Sequence, residues 1–178
     1  MGQRLASLDS RVSPEVLSSE LKGPCGVLTG CTAQTGSLVE IRRLYERYRK
    51  HAQATGHHLS RADFHMVLRN SPVEGLADAY AGFERSGLVN MLEFIAALVL
   101  FAASSWENKV LFLVELFDFD GNRSLSRDEL TILCTAVLNG FGSLTTSPHL
   151  RPGQLAGLSE EVFSEADSTP DGLITYAE

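Results

Sequence analysis

The 178-residue chain has little cysteine, no long apolar run and no basic surplus, and each shortage excludes something. Its three cysteines, Cys25, Cys31 and Cys134, are odd in number and fit neither a CxxC metal pattern nor a disulfide framework. Reduced thiols in an intracellular, cytoplasmic protein are therefore expected. The longest apolar run, Phe94 to Ala103, is about half of what a bilayer span needs. No charged-then-apolar segment of the signal-peptide kind opens the sequence. Basic residues number 15 against 22 acidic ones, a net charge of −7, which argues against a nucleic-acid partner because that would need a clustered basic face. A Ser/His/Asp set, a Gly-rich phosphate loop and a paired-carboxylate cleft are also missing, so a non-enzymatic role is expected. What is present, 44% apolar residues, suffices for one domain or two small lobes.

The most informative stretch runs from Asp118 to Leu130, between the apolar segments 110–117 and 130–133. Read as helix, twelve-residue loop, helix, it sets oxygen donors at loop positions 1, 3, 5, 7, 9 and 12. These are Asp118, Asp120, Asn122, the Ser124 carbonyl, Ser126 (directly or through water) and Glu129. A hard cation such as Ca²⁺ takes about six to eight oxygens, and a glutamate at position 12 supplies two. Leu125 at position 8 points inward. On these residues the stretch resembles an EF-hand, with one departure. Position 6, where a sharp turn favours glycine, holds Arg123.

Three further stretches repeat the pattern, the last of them as the best match in the chain and the other two incompletely. Asp167 to Glu178 offers Asp167, Thr169, Asp171, the Leu173 carbonyl, Thr175 and Glu178, with Gly172 at position 6 and Ile174 at position 8. The sequence stops at Glu178, so the helix that should fix that carboxylate is expected to be absent and the loop to bind weakly. Leu59, Asp63 and Phe64 have the form of a second half-loop, but Ala52, Ala54 and Gly56 at positions 1, 3 and 5 offer no side-chain oxygen. Gly87, Val89, Glu93 and Phe94 fit positions 6, 8, 12 and 13, while Gly82 at position 1 lacks a carboxylate, so this loop is expected to be vacant or weak. His51, His57, His58 and His65 cluster nearby without an acidic or cysteine partner at ligand spacing, which argues against Zn²⁺.

The acids at position 12 are Asp63, Glu93, Glu129 and Glu178, spaced 30, 36 and 49 residues apart, and this groups the repeats in two pairs. With the extension before residue 37, the chain is similar to the four-EF-hand group of neuronal calcium sensors, guanylate cyclase-activating proteins and calcineurin B-like proteins. The resemblance implies an all-α fold of two paired EF-hand lobes, residues 37–104 and 105–178, with short β-bridges between loops and the last exit helix absent. It pairs Leu59 with Val89 and Leu125 with Ile174. It implies Ca²⁺ as the bound ion, with Mg²⁺ as the alternative at the same loops, and a target-protein helix (of an enzyme or channel) held in an apolar groove. Phe94, Leu98, Phe101, Trp106, Val110, Phe112 and Leu113 are the groove material, of which two or three are expected to be exposed. A constitutive scaffold and a calcium buffer are the alternative roles.

Elsewhere, Ser13-Pro14 marks a helix start, roughly 23–36 reads as linker, and Ser37 with Glu40 forms a capping box. Residues 139–158, rich in Gly, Ser, Thr and Pro, predict a long connector, followed by a short helix from Leu158 to Ala166 capped by Ser159. Met1 to Ser7 nearly fits an N-myristoylation pattern, with Ala6 where Ser or Thr is required; acylation of Gly2 would add a weak membrane association.

Overall fold

The computed structural model describes residues 36–55, 57–145, 151–169 and 171–176. Gly2, the Ser13-Pro14 start, Cys25, Cys31 and Glu178 lie outside the described residues. The architecture is mostly helical. Helix α1 (Leu38–Thr55) begins at the expected capping box: the Ser37 N–H donates to Glu40 Oε2 at 2.7 Å and the Glu40 N–H donates to Ser37 Oγ at 3.4 Å. Its Ile41, Leu44 and Tyr48 stand at helical spacing and are buried together. Then come β1 (His58–Ser60), α2 (Arg61–Leu68), a 3-10 turn (Glu74–Ala79), α3 (Tyr80–Phe83), β2 (Glu84–Arg85), β3 (Leu88–Asn90) and α4 (Met91–Phe101). The second half holds α5 (Trp106–Phe117), β4 (Ser124–Ser126), α6 (Arg127–Leu144), α7 (Pro152–Ala166) and β5 (Leu173–Thr175).

The strands are short antiparallel bridges. In the first sheet, in the order β1-β3-β2, Leu59 lies opposite Val89; in the second, Leu125 lies opposite Ile174. These are the residue pairs expected from the repeats. Their side chains are buried in one apolar cluster that runs through both halves. At its centre the Phe94 ring meets Phe64 and Phe83 edge-on, with centroids 4.9 and 5.1 Å away. The long apolar run belongs to α4, whose residues from Met91 to Val99 are all buried. No helix among the described residues is long and apolar enough to cross a membrane.

The two halves meet where α4 crosses α6. A Cβ added to Gly140 would collide with the Glu93 carbonyl oxygen and sit 3.2 Å from the Ala97 Cβ, so only glycine permits this approach. The halves are also tied by Arg42 of α1, which donates to both oxygens of Glu115 in α5 at 2.7 and 2.6 Å and lies 4.8 Å from the Phe112 ring centre.

That crossing corrects the connector reading of 139–158. Helix α6 continues through Asn139, Gly140 and Gly142 to Leu144, because close packing on α4 outweighs the low helix propensity of glycine. Helix α7 starts at Pro152, six residues before the expected Leu158, with proline in its first turn and the Arg151 N–H held by the Gln154 side chain at 3.1 Å. Ser159 is therefore no cap. It is buried inside α7, where its hydroxyl donates to the Ala156 carbonyl at 3.0 Å and lies 3.2 Å from the Thr131 hydroxyl.

Candidate metal centre

The 118–129 loop is shaped by its own carboxylates. Helix α5 ends at Asp118, whose N–H still bonds the Val114 carbonyl at 3.0 Å. Asp118 Oδ1 accepts from the N–H groups of Gly121 and Asn122 at 2.8 and 3.1 Å, and Oδ2 from that of Arg123 at 2.9 Å. Asp120 Oδ1 accepts from the Asn122 N–H at 3.0 Å, and Asn122 Oδ1 from the Ser124 N–H at 2.8 Å and from the Ser124 hydroxyl. The chain is thus wound around acceptor side chains. Arg123 makes the position-6 turn at φ 65°, a left-handed conformation costly for a residue with a Cβ, and its side chain remains exposed.

The loop closes on α6. Ser126 caps this helix, with its Oγ 3.3 Å from the Glu129 N–H, while Glu129 Oε2 accepts from the Ser126 N–H at 2.9 Å and its hydroxyl at 2.7 Å. Glu129 Oε1 accepts from the Phe119 N–H at 2.9 Å. Burial pulls the Glu129 carboxyl upward, but the bonds from Ser126 and Phe119 outweigh it and hold the group below its ordinary range. The same balance, with Arg123, Tyr176 and Gly121 as donors, lowers Asp118. Both groups are therefore carboxylates at neutral pH. Asp118, Asp120 and Glu129 each offer an oxygen within 4.8 Å of the others, which suits a hard cation.

The last loop begins in the same way. Helix α7 ends at Asp167 with φ −68° and ψ 87°, against −71° and 83° for Asp118, and Gly172 takes the position-6 turn at φ 84°. The Gly172 N–H donates to Asp167 Oδ2 at 3.2 Å and the Leu173 N–H to Asp171 Oδ1 at 3.0 Å. Asp167 Oδ1 is buried and has no hydrogen-bond partner among the described residues, an acceptor suited to a cation. Thr169 and Asp171 are exposed, and Leu173 and Thr175 lie in β5.

The first two loops engage their acids differently. Asp63 accepts from the Ser60 hydroxyl at 2.6 Å and pairs with His51 Nε2 at 3.2 Å. Glu93, only 5% exposed, pairs with Arg85 at 2.6 Å and accepts from Asn139 Nδ2 at 3.1 Å. Between these partners the 82–93 loop folds as a tight hairpin, with Ser86 and Gly87 at φ 56° and 81° between β2 and β3. Sequence spacing does not point to Arg85, and it marks His51 only as one of a histidine cluster and Asn139 only as the start of a connector, not as partners of these acids. A basic residue inside a loop that lacks its first carboxylate was the available signal for Arg85. Of the other histidines, His57 Nδ1 lies 2.8 Å from the Tyr48 hydroxyl, and among the described residues none joins a metal-ligand group. Cys134 is a half-buried free thiol.

Of the groove candidates, Phe94, Leu98, Phe112 and Leu113 are buried and Phe101 is half-buried, while Trp106 and Val110 are 63% and 41% exposed. Leu111, 48% exposed, adds to the apolar surface of α5.

No family model matches the chain. Individual proteins do. The calcineurin B protein of Naegleria gruberi is 30% identical over 143 residues, 78% of this chain and 76% of that protein. Guanylyl cyclase-activating protein 1 of Lithobates pipiens is 26% identical over 163 residues, 86% of this chain and 74% of that protein. The human guanylyl cyclase-activating protein 3 is 35% identical over 94 residues, 53% of this chain and 42% of that protein. With the helix–loop–helix repeats and the acidic loop, these likenesses place the chain in the EF-hand calcium-sensor family. Its ion is Ca²⁺.

Proposed function

We propose that this chain is a Ca²⁺-responsive regulatory protein that binds a helix of a target protein through an apolar groove. The carrying observation is the convergence of Asp118, Asp120 and Glu129: three carboxylates held this close repel one another unless a cation is shared among them. In this reading the central loop binds through Asp118, Asp120, Asn122, the Ser124 carbonyl, Ser126 and Glu129. The last loop binds more weakly through Asp167, Thr169, Asp171, the Leu173 carbonyl, Thr175 and Glu178. Residues 37–104 and 105–178 act as two lobes of paired hands, and the exposed Trp106, Val110 and Leu111 on α5 begin the target surface. The relatives support a protein target: two are named for a cyclase they activate and one as a component of calcineurin.

Calorimetric Ca²⁺ titration, with Trp106 fluorescence followed in parallel, tests the reading. Saturable binding with a tryptophan change supports a sensor. Binding without a tryptophan change favours a constitutive scaffold, a role consistent with the glycine contact that locks α4 against α6. Absence of binding at millimolar Ca²⁺ refutes both the sensor and the buffer.

A further inference from the structure

We infer that Tyr176 is a positioning residue for the central loop: its hydroxyl, supplied by the last loop, holds the first carboxylate of the other loop. The inference rests on the calcium reading of residues 118–129. Its basis is a register and a bond. Strands β4 and β5 pair Ser124 with Thr175 and Leu125 with Ile174; one step further along this ladder sets Tyr176 opposite Arg123. The Arg123 N–H and the Tyr176 hydroxyl both donate to Asp118 Oδ2, at 2.9 and 3.1 Å. Asp118 Oδ1 is meanwhile held by Gly121 and Asn122. One oxygen of the carboxylate is thereby clamped between its own loop and its neighbour, which fixes the rotation of the group before any ion arrives.

The clamp runs in one direction. The residue of the central loop equivalent to Tyr176, at loop position 10, is Arg127, and it turns away to pair with Glu160 and lie 4.1 Å from the Phe163 ring centre. Asp167 receives no reciprocal bond, and its Oδ1 stays unpartnered among the described residues. Order in the last loop therefore supports ion binding in the central loop through this one bond, and by linkage an ion in the central loop favours order at Tyr176 by the same factor. A carboxylate already oriented loses less freedom on coordination, and a hydrogen bond to a charged acceptor at a part-exposed site is of a size to change affinity about fivefold.

Tyr176→Phe removes the hydroxyl and keeps the ring. Calorimetry should show Ca²⁺ affinity at the central loop about fivefold weaker, and the loss should persist in an Asp167→Asn background, where the last loop is silenced. In an Asp118→Asn background the last loop should bind equally well with or without the substitution. A loss that appears there instead would show that Tyr176 serves only its own loop, and would overturn the inference. Thermal melting in chelator gives a readout without the ion: the cost of Tyr176→Phe should shrink when Asp118→Asn is already present, whereas strictly additive costs would also overturn it. If the unaltered chain binds no Ca²⁺, the calcium reading itself fails; if it binds and Tyr176→Phe binds as tightly, this inference alone fails.

Discussion

The loops 82–93 and 118–129 have the same length, stand between helices and end on a buried glutamate at the same position. They nevertheless solve the charge of that glutamate in opposite ways. In the first, Arg85 supplies a guanidinium from within the loop, and the backbone between Glu84 and Leu88 collapses into a hairpin. In the second, the basic residue Arg123 points to solvent, and the turn is made wide enough to collect Asp118 and Asp120 with Glu129. The lesson is that a position-12 acid is not by itself a calcium ligand. What matters is whether the chain brings its own cation or leaves the carboxylates facing one another.

The largest effect that would break this comparison is at Asp118. Asp118→Ala should weaken Ca²⁺ binding at the central loop on the order of a hundredfold, about 2.7 kcal/mol, as read by calorimetry. An unchanged titration would mean that the contrast between the loops is not about ions. Next comes the internal pair. Arg85→Ala leaves the buried Glu93 without its cation and should cost about 2 kcal/mol of stability in denaturant melts, a figure reduced because the arginine is half exposed. Adding Glu93→Gln should recover much of that loss, and neither change should alter calcium stoichiometry. Failure of the glutamine to rescue would show that the pair is not what neutralises the loop.

Arg123→Gly sharpens the comparison by giving the central loop the turn residue that the other loop has. It relieves a left-handed residue, worth about 1 kcal/mol, and should tighten binding several-fold. The smallest effect concerns the first loop. The Ser60 hydroxyl and then the His51 bond hold the Asp63 carboxyl below its usual range. A depressed carboxyl stabilises the fold above its usual titration range, and that share is lost as pH falls through the folded value. Asp63→Asn should therefore lower the melting temperature slightly at neutral pH and make progressively less difference as pH falls through the lowered value of the folded carboxyl. A loss that persists in acid would assign Asp63 a purely steric role.

How far all this was legible depends on the distance over which each feature is encoded. The donor order from Asp118 to Glu129 and the Ser37–Glu40 box are local, and a residue spacing suffices to see them. Leu59 with Val89 and Leu125 with Ile174 were readable because the repeat supplies the register. The Gly, Ser and Pro content after Leu138 misled because composition cannot tell a breaking glycine from a packing one. The carbonyl of Glu93, 47 residues earlier in the chain, makes Gly140 the second kind. The bond from Tyr176 to Asp118 was hidden for the same reason: it exists only once two strands have aligned.

The glycine contact also sets a leverage. Helix α6 is a stiff rod with Glu129 near one end and Gly140 lying on α4 eleven residues further on, roughly 16 Å away along the axis. With no side chain between the two backbones there, a tilt of the rod would pivot near that contact. A pull of about 1 Å at Glu129 would turn it by only about 4°, and the swing falls to nothing at the fulcrum itself, where Glu93 sits. The hairpin loop attached to Glu93 would then feel a small twist and almost no travel from a pull at the acidic end.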